Sequence, residues 1–280
     1  MASGYASPDT MAYVANARMY SVNPAARAAW RELFGWLVGE TGIALDIVDH
    51  AFPLPLSELW SRSDLACAFM CGLPFVRADH SPLPVAAPIP RRAPVRGAPV
   101  YATQLIVRSD SRYISLEETF GGRLGYTIED SHSGYNALRH HLLPYRASHG
   151  GTLYRESIGP LYTPRGVVDA ILSGDVDVGP LDSYALDLML RHEPDLADRI
   201  RIVASTEAAP IPLLVASPEC PADVVAALRA ALLRFGEAQA GAALMDRLCL
   251  AGFAPVDVAA YRLIASWERD ALDAGYDRPA

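Results

Sequence analysis

The sequence contains no lysine, so all 24 of its permanently cationic side chains are arginines. A Schiff-base lysine and the lysine of a Walker-type phosphate loop are therefore both excluded. Asp and Glu together number 32, which gives a formal net charge of −8 at pH 7. This balance argues against a broad nucleic-acid surface, because phosphate backbones are bound by clustered cations.

Metal-binding patterns are also missing. The four cysteines form no CxxC pair, and no HExxH motif or cluster of carboxylates occurs. His140 and His141 are adjacent, so on a helix they cannot share a metal ion on one face. We therefore predict neither a metal site nor a cofactor.

Long apolar runs are absent as well. No stretch of about 18 apolar residues occurs, so no membrane span is predicted. The first 20 residues lack a basic segment followed by an apolar stretch of about 7–15 residues, the pattern of a signal peptide. As written, the sequence is expected to be cytoplasmic; if an export signal has been removed, a periplasmic location is expected.

The patterns that are present predict an α/β protein. Asn23–Pro24 combines a helix N-cap with proline at the first helical position, and apolar residues follow at helical spacing. Leu65–Met70 is typical of a buried strand. Pro82–Pro99 is predicted to be a proline-rich surface excursion with extended pieces. From Arg123 onward strands alternate with helices, which indicates βαβ units and a parallel sheet.

The order of these elements predicts two α/β lobes that the chain crosses twice. The first lobe would comprise residues 12–105 and 209–272, and the second would comprise residues 106–208. Residues 1–11 and 273–280 would be tails. Two crossings form a two-strand hinge, which allows a cleft to close around a ligand.

The segment Tyr126–Asn136 is the most informative one for function. It is predicted to run from a strand through a Ser- and Gly-containing loop into a helix, and ligands of open α/β sheets bind at the carboxyl ends of strands. Ser131 and Ser133 offer hydroxyls, His132 offers a ring N–H, and Gly134 allows close approach of the backbone. A helix start also offers free N–H groups to an anion. Ordinary helix capping by these residues remains an alternative.

Two further residues are predicted to face the same cleft. Asp182 follows the short apolar run in Gly174–Tyr184, where its carboxylate would suit an amine or a protonated oxygen of the ligand. Asp182 would also serve as an N-cap for the next helix, and the two roles are compatible. Tyr20 lies at the carboxyl end of the first predicted strand and could donate its hydroxyl.

Catalysis is not supported by these residues. His132 lies between two serines, but neighbouring residues at a helix entry point in different directions, and no GxSxG motif is present. We therefore predict no catalytic residue.

The order of motifs resembles one family. A strand ending in Tyr20 is followed by CGLPF, YATQLIVR, SHSGYNALR, SGDVDVGPLDSYAL and APIPLLVAS. Over roughly residues 12–250 this resembles the phosphate-, phosphite- and phosphonate-binding proteins of ABC transporters, which have a two-lobed type II periplasmic-binding-protein fold. The resemblance implies a small anionic ligand and an ABC permease as partner.

The resemblance also implies roles for particular residues. Ser131, His132 and Ser133 would grip the oxyanion, while Asp182 and Tyr20 would contact the ligand. The family commonly has threonine or a similar polar residue where this chain has His132. It often has histidine in the loop before the next helix, where Tyr162 is the nearest polar candidate in this chain.

Three functions follow from this reasoning. The first is a solute-binding protein that clamps a phosphonate-, phosphite- or phosphate-like oxyanion and delivers it to an ABC transporter. The second is a cytoplasmic enzyme on the same fold that acts on a small anionic metabolite. The third is a ligand-sensing module that acts through a partner protein.

Overall fold

The computed structural model describes residues 12–239 and 241–280. The predicted tail 1–11 lies outside these residues. The strands are β1 Tyr13–Asn16, β2 Leu45–Ile47, β3 Leu65–Met70, β4 Leu83–Pro90, β5 Val100–Tyr101, β6 Thr103–Arg108, β7 Arg123–Gly125, β8 Glu156–Ile158, β9 Gly179–Asp182, β10 Ile200–Ser205, β11 Ala209–Pro210, β12 Leu213–Ala216 and β13 Leu250–Ala254.

Helices cover these strands and carry most of the longer connections. They are α1 Pro24–Thr41, α2 Leu56–Trp60, α3 Gly72–Arg77, α4 Ala137–His149, α5 Pro164–Ser173, α6 Ser183–His192, α7 Ala222–Arg234, α8 Gly241–Arg247 and α9 Arg262–Asp273. A π-helical turn, His132–Asn136, leads directly into α4. The predicted start of α1 is confirmed, because Asn23 accepts a hydrogen bond from the backbone N–H of Ala26.

A six-stranded sheet forms the centre of the larger lobe. Its strand order is β13-β4-β12-β3-β1-β2, and β1 runs parallel to β2 and β3. Strand β12 is antiparallel to both β3 and β4, and β13 is antiparallel to β4. The sheet of this lobe is therefore mixed. The parallel sheet was predicted from Arg123 onward, in the smaller lobe, and it is wrong there because β6 is antiparallel to both β9 and β10, although β7 and β8 pair in parallel.

The proline-rich stretch contains a central strand and is not only a surface excursion. Strand β4 includes Pro84, Pro88 and Pro90 and lies between β12 and β13. Proline has no N–H to donate to a ladder, and it normally avoids central strands. Both ladders of β4 contain a register irregularity, which is where a strand accommodates missing hydrogen bonds.

The smaller lobe contains a three-stranded antiparallel sheet in the order β10-β6-β9, with the parallel pair β7 and β8 beside it. Strands β5 and β11 pair with each other between the two lobes, and they lie on the two chain crossings. The predicted lobe boundary at residues 105/106 falls within β6. The return crossing proposed near residue 209 coincides with the start of β11.

The C-terminal residues are packed against the smaller lobe. Tyr276 is buried in the apolar cluster of that lobe, and the Tyr135 hydroxyl donates to the backbone oxygen of Asp277. Arg139 donates to the same oxygen and to that of Tyr276. Residues 273–280, predicted as a tail from their sequence, thus extend the contact surface of α9.

Candidate functional site

The Ser131 loop closes on itself through a local hydrogen bond. Ser131 caps the π-helical turn, and its Oγ accepts from the backbone N–H of Gly134 at 2.9 Å. Thr103 Oγ1 donates to the backbone oxygen of Ser133 and ties the loop to β6. A Cβ atom added to Gly134 would overlap Thr127 Oγ1 and lie 2.8 Å from Thr127 Cγ2, so only glycine fits there.

Asp182 is a buried carboxyl group at the end of β9. Its Oδ1 accepts from the backbone N–H groups of Tyr184 and Ala185 at 2.8 and 3.0 Å, so it caps α6 as the sequence predicted. Its Oδ2 accepts from the Tyr20 hydroxyl at 3.1 Å. Burial raises the pKa of Asp182 to about 7, although the three hydrogen bonds act to lower it. The group can therefore exchange a proton near neutral pH.

Tyr20 is held rigidly opposite this carboxyl group. It ends a 3-10 turn after β1, and its ring packs edge-on against Phe69 and Tyr184 at centroid distances of 4.9 and 4.6 Å. Burial and the nearby Asp182 raise the pKa of Tyr20 well above its ordinary value. The phenol therefore stays neutral and serves as a hydrogen-bond donor.

Tyr162 lies at the mouth of the site. Its backbone has a φ of 66°, which is the left-handed region, and its N–H donates to the backbone oxygen of Thr127. Its ring is 53% exposed and lies 5.0 Å, centroid to centroid, from the ring of Phe52 in the larger lobe. The two aromatic rings thus meet across the opening between the lobes.

The side chain of His132 lies outside the site. Its ring is buried and stacks on Trp267 at 5.4 Å, and its Nδ1 lies 3.2 Å from the amide nitrogen of Asn136. Burial lowers the pKa of His132 to about 3, so the ring is neutral. His132 opens the π-helical turn, in which the N–H of Asn136 donates to the backbone oxygen of Ser131.

A cavity of about 550 Å³ lies between the lobes and brings the remaining predicted residues together. Tyr20, Ser131, Ser133, Gly134, Tyr162 and Asp182 all line it. Its volume is typical of small-ligand sites. The wall from the larger lobe is mainly apolar and includes Met19, Val22, Phe52, Leu54, Leu56 and Trp60.

Helix starts converge on this cavity. The N-cap residues of five helical segments line it: Pro55, Cys71, Ser131, Thr163 and Asp182. The first turn of a helix leaves N–H groups without intrahelical partners and carries the positive end of the helix dipole. Ser131, Thr163 and Asp182 already accept from N–H groups of their own first turns, so an anion in the cavity would be favoured by the helix dipoles and by the N–H groups that remain.

Several lining residues were not found from the sequence. Arg18 and Arg165 contribute guanidinium groups, and Thr127 contributes a hydroxyl that has no hydrogen-bond partner within the described part of the chain. The pair Thr163–Pro164 could have predicted the start of a helix, since it repeats the N-cap and proline pattern of Asn23–Pro24. Arg18 had no such signal, because its position depends on contacts with the carbonyl groups of residues 50 and 54.

Within residues 12–239 and 241–280, no group of three or more His, Cys, Asp or Glu side chains is placed to hold a metal ion. No helix in the same ranges combines the length and the apolar character needed to cross a membrane.

A family comparison identifies the chain. Residues 21–261 match the model of a family described as "ABC transporter, phosphonate, periplasmic substrate-binding protein". The chain belongs to this family. Among curated protein sequences, no match to the chain was found.

Solved structures confirm the predicted two-lobed type II fold. A binding protein component of an ABC phosphonate transporter from Pseudomonas aeruginosa aligns with a TM-score of 0.77 at 16% identity, covering 94% of this chain and 89% of that one. PhnD1 from Prochlorococcus marinus, in complex with methylphosphonate, aligns with a TM-score of 0.74 at 12% identity and coverages of 92% and 97%. A Xanthomonas citri protein bound to ATP gives 0.63 at 20% identity, with coverages of 94% and 98%.

Proposed function

We propose that this protein closes its two lobes around a phosphonate or a similar phosphorus oxyanion and presents it to an ABC permease. The observation that carries the proposal is the convergence of the Ser131 loop, the Tyr20–Asp182 pair and several helix starts on one cavity. A periplasmic location follows from the same proposal, since the family to which the chain belongs is periplasmic.

The Ser131 loop would bind the anionic oxygens. Ser131 and Ser133 present hydroxyl donors, and Gly134 lets the loop pack closely against Thr127. Hydrogen bonds to a charged acceptor are stronger than those between neutral groups. The rigid capping of the loop lowers the ordering cost of binding.

Asp182 would bind a protonated oxygen of the ligand. A carboxyl group with a pKa of about 7 can share one proton with a singly protonated phosphonate. Sulfate carries no proton near neutral pH, so it can share one only with the fraction of Asp182 that is itself protonated. The site is therefore expected to favour phosphonate, phosphite and phosphate over sulfate.

Calorimetric titration with methylphosphonate, phosphite, phosphate and sulfate tests this proposal. We expect binding of at least one phosphorus oxyanion, and weaker or absent binding of sulfate. Ser133→Ala should lower the affinity about tenfold by removing a hydrogen bond to a charged group. Ser266→Ala, on the outer surface of α9, serves as the control and should leave the affinity unchanged. No heat from any phosphorus oxyanion would contradict the proposal.

A further inference from the structure

A second, smaller cavity adjoins the ligand cavity. It has a volume of about 150 Å³ and shares four lining residues with the larger one: Arg18, Ser21, Phe52 and Thr163. We call this smaller cavity the annex. Because its walls continue those of the ligand cavity, one ligand could occupy both.

The annex is rich in arginine. Arg18, Arg27 and Arg31 line it, against a single carboxylate, Asp49. Arg31 Nη1 lies 3.2 Å from Asp49 Oδ1, so that carboxylate already has a cationic partner. The guanidinium of Arg27 makes no hydrogen bond or ion pair with any residue in the described part of the chain. The walls therefore carry an excess of two positive charges, which favours an anion.

One helix face positions this group. Arg27, Trp30 and Arg31 are related by i, i+3 and i+4 spacing on α1, so their side chains lie on the same side of the helix. Arg18 approaches from the turn after β1, where its Nη1 donates to the backbone oxygens of His50 and Leu54. Arg18 thus lies at the junction of the two cavities.

Trp30 forms part of the annex wall. Its side chain lines the annex, and the residue is only 1% exposed. Its indole Nε1 is covered by the surrounding residues and has no hydrogen-bond partner among the described residues. Trp30 therefore contributes apolar ring surface beside the arginines.

The nearby amide is already hydrogen-bonded within the protein. Asn16 also lines the annex, but its Nδ2 donates to the backbone oxygens of Val48 and Asp49, and its Oδ1 accepts from the N–H of Arg18. The groups left to bind a ligand are therefore cationic or neutral donors. A ligand ammonium group would meet excess positive charge and find no free carboxylate.

We propose that the annex binds a second anionic group of the ligand, so that the preferred ligands are phosphonates carrying a carboxylate or phosphate at the far end of an apolar spacer. This inference rests on the proposed function, in which the phosphonate occupies the Ser131 side of the ligand cavity. The spacer would cross the apolar wall formed by Met19, Val22 and Phe52. Aminoalkylphosphonates would be disfavoured because their cationic end faces arginines.

Competing calorimetric titrations test the inference. 3-Phosphonopropionate, propylphosphonate and 3-aminopropylphosphonate have spacers of similar size but differ in the charge of the far end. We expect 3-phosphonopropionate to bind at least about tenfold more tightly than propylphosphonate, as a charged hydrogen bond would give. The aminoalkyl compound should bind most weakly of the three.

Substitutions of the annex arginines test whether these residues cause the preference for 3-phosphonopropionate. Arg27→Gln should reduce the preference for 3-phosphonopropionate about tenfold while leaving the affinity for propylphosphonate unchanged. Arg31→Gln should reduce the same preference, because Arg31 also lines the annex. Arg269→Gln is the matched control, because Arg269 is an exposed helical arginine that lines neither cavity.

The outcomes separate the two proposals. Equal affinities for 3-phosphonopropionate and propylphosphonate would overturn the inference about the annex and leave the proposed phosphonate binding in place. A preference that survives in both Arg27→Gln and Arg31→Gln would also overturn it. Failure of every phosphonate and of inorganic phosphite to bind would overturn the proposed function, and the annex inference with it.

Discussion

The Tyr20 hydroxyl of the larger lobe donates a hydrogen bond to Oδ2 of Asp182 in the smaller lobe, with 3.1 Å between the two oxygens. The donor is a phenol that stays neutral, and the acceptor is a buried carboxyl group with a pKa of about 7. A contact between the lobes is thereby linked to the protonation of one group. The ionised carboxylate accepts this bond more strongly than the neutral acid does.

Tyr20→Phe removes this donor. Because the bond lowers the pKa of Asp182, we expect that pKa to rise above 7 in the variant, and ligand affinity to fall about tenfold. Carbon-detected NMR of the Asp182 carboxyl group during a pH titration measures the first effect. Calorimetry measures the second.

Tyr184→Phe is the matched control for that experiment. It also removes a buried hydroxyl, which donates to the backbone oxygen of Leu248 at 2.7 Å, so it should cost a similar free energy of unfolding of about 1 kcal/mol. It leaves the bond between Tyr20 and Asp182 in place. An equal rise of the Asp182 pKa in both variants would contradict the role assigned to Tyr20.

The pH dependence of stability is a second prediction. The folded-state pKa of Asp182 is raised from an ordinary value of 3.8 to about 7, so the folded state retains a proton that the unfolded chain releases. The contribution of Asp182 protonation to the free energy of unfolding is therefore fully present below about pH 4, and it is lost as the pH rises toward about 7. Relative to Asp182→Asn, the wild-type free energy of unfolding should fall by at most about 3 kcal/mol between about pH 5 and about pH 8.

Urea unfolding of both proteins at the two pH values measures this difference. Asparagine can still accept the two capping hydrogen bonds of α6, so the variant should remain folded. Other titrating groups are common to both proteins and cancel in the comparison. A wild-type stability that rises relative to the variant with increasing pH would show that the sign is wrong.

A third prediction concerns the backbone of the Ser131 loop. Gly134→Ala places a methyl group against the Thr127 side chain, and overpacking of this kind costs about 1–3 kcal/mol. We expect a loss of thermal stability and of phosphonate affinity together. Gly35→Ala, in the middle of α1 with nothing within 4 Å of the added Cβ, should instead stabilise the protein by about 0.5–1 kcal/mol.

The aromatic pair at the cleft mouth gives a fourth prediction. Phe52→Ala removes one of the two rings that meet there, so the bound ligand should escape about tenfold faster while its association rate changes little. Stopped-flow fluorescence measures both rates. Ile114→Ala, which removes an exposed side chain outside the cavity, is the control. An unchanged dissociation rate would contradict the prediction that Phe52 slows the escape of the ligand.

The parts of the site that sequence could predict depend on local motifs. Ser131 and Asp182 are helix caps beside short strands, and both the cap chemistry and the strand end are visible within a few residues. Tyr20 was found for a similar reason, as the last residue of a segment predicted to be a strand. The structure shortens that strand to Tyr13–Asn16 but keeps Tyr20 at the cavity.

The parts that sequence could not predict depend on distant contacts. The buried ring of His132 stacks on Trp267, which lies more than a hundred residues away in the sequence. Strand β4 was not predicted as a central strand because it contains prolines. Its irregular pairing with β12 and β13 accommodates them. Arg18 reaches the cavity because loop carbonyl groups beyond β2 hold it there.

Helix α9 connects the two lobes in addition to the two crossing strands, because it contacts helices of both. It lies between α3 of the larger lobe and α4 of the smaller lobe, and the residues that follow it are bonded to Tyr135 and Arg139 through the backbone oxygen of Asp277. Its contact with α3 is close, since a Cβ atom added to Gly72 would overlap the Ile264 side chain. Because α9 packs on both lobes, with Ile264 and Trp267 in the core of the larger one, opening must separate one of its two contact faces. The free energy of opening therefore includes the loss of that helix contact as well as the bending of the two crossing strands.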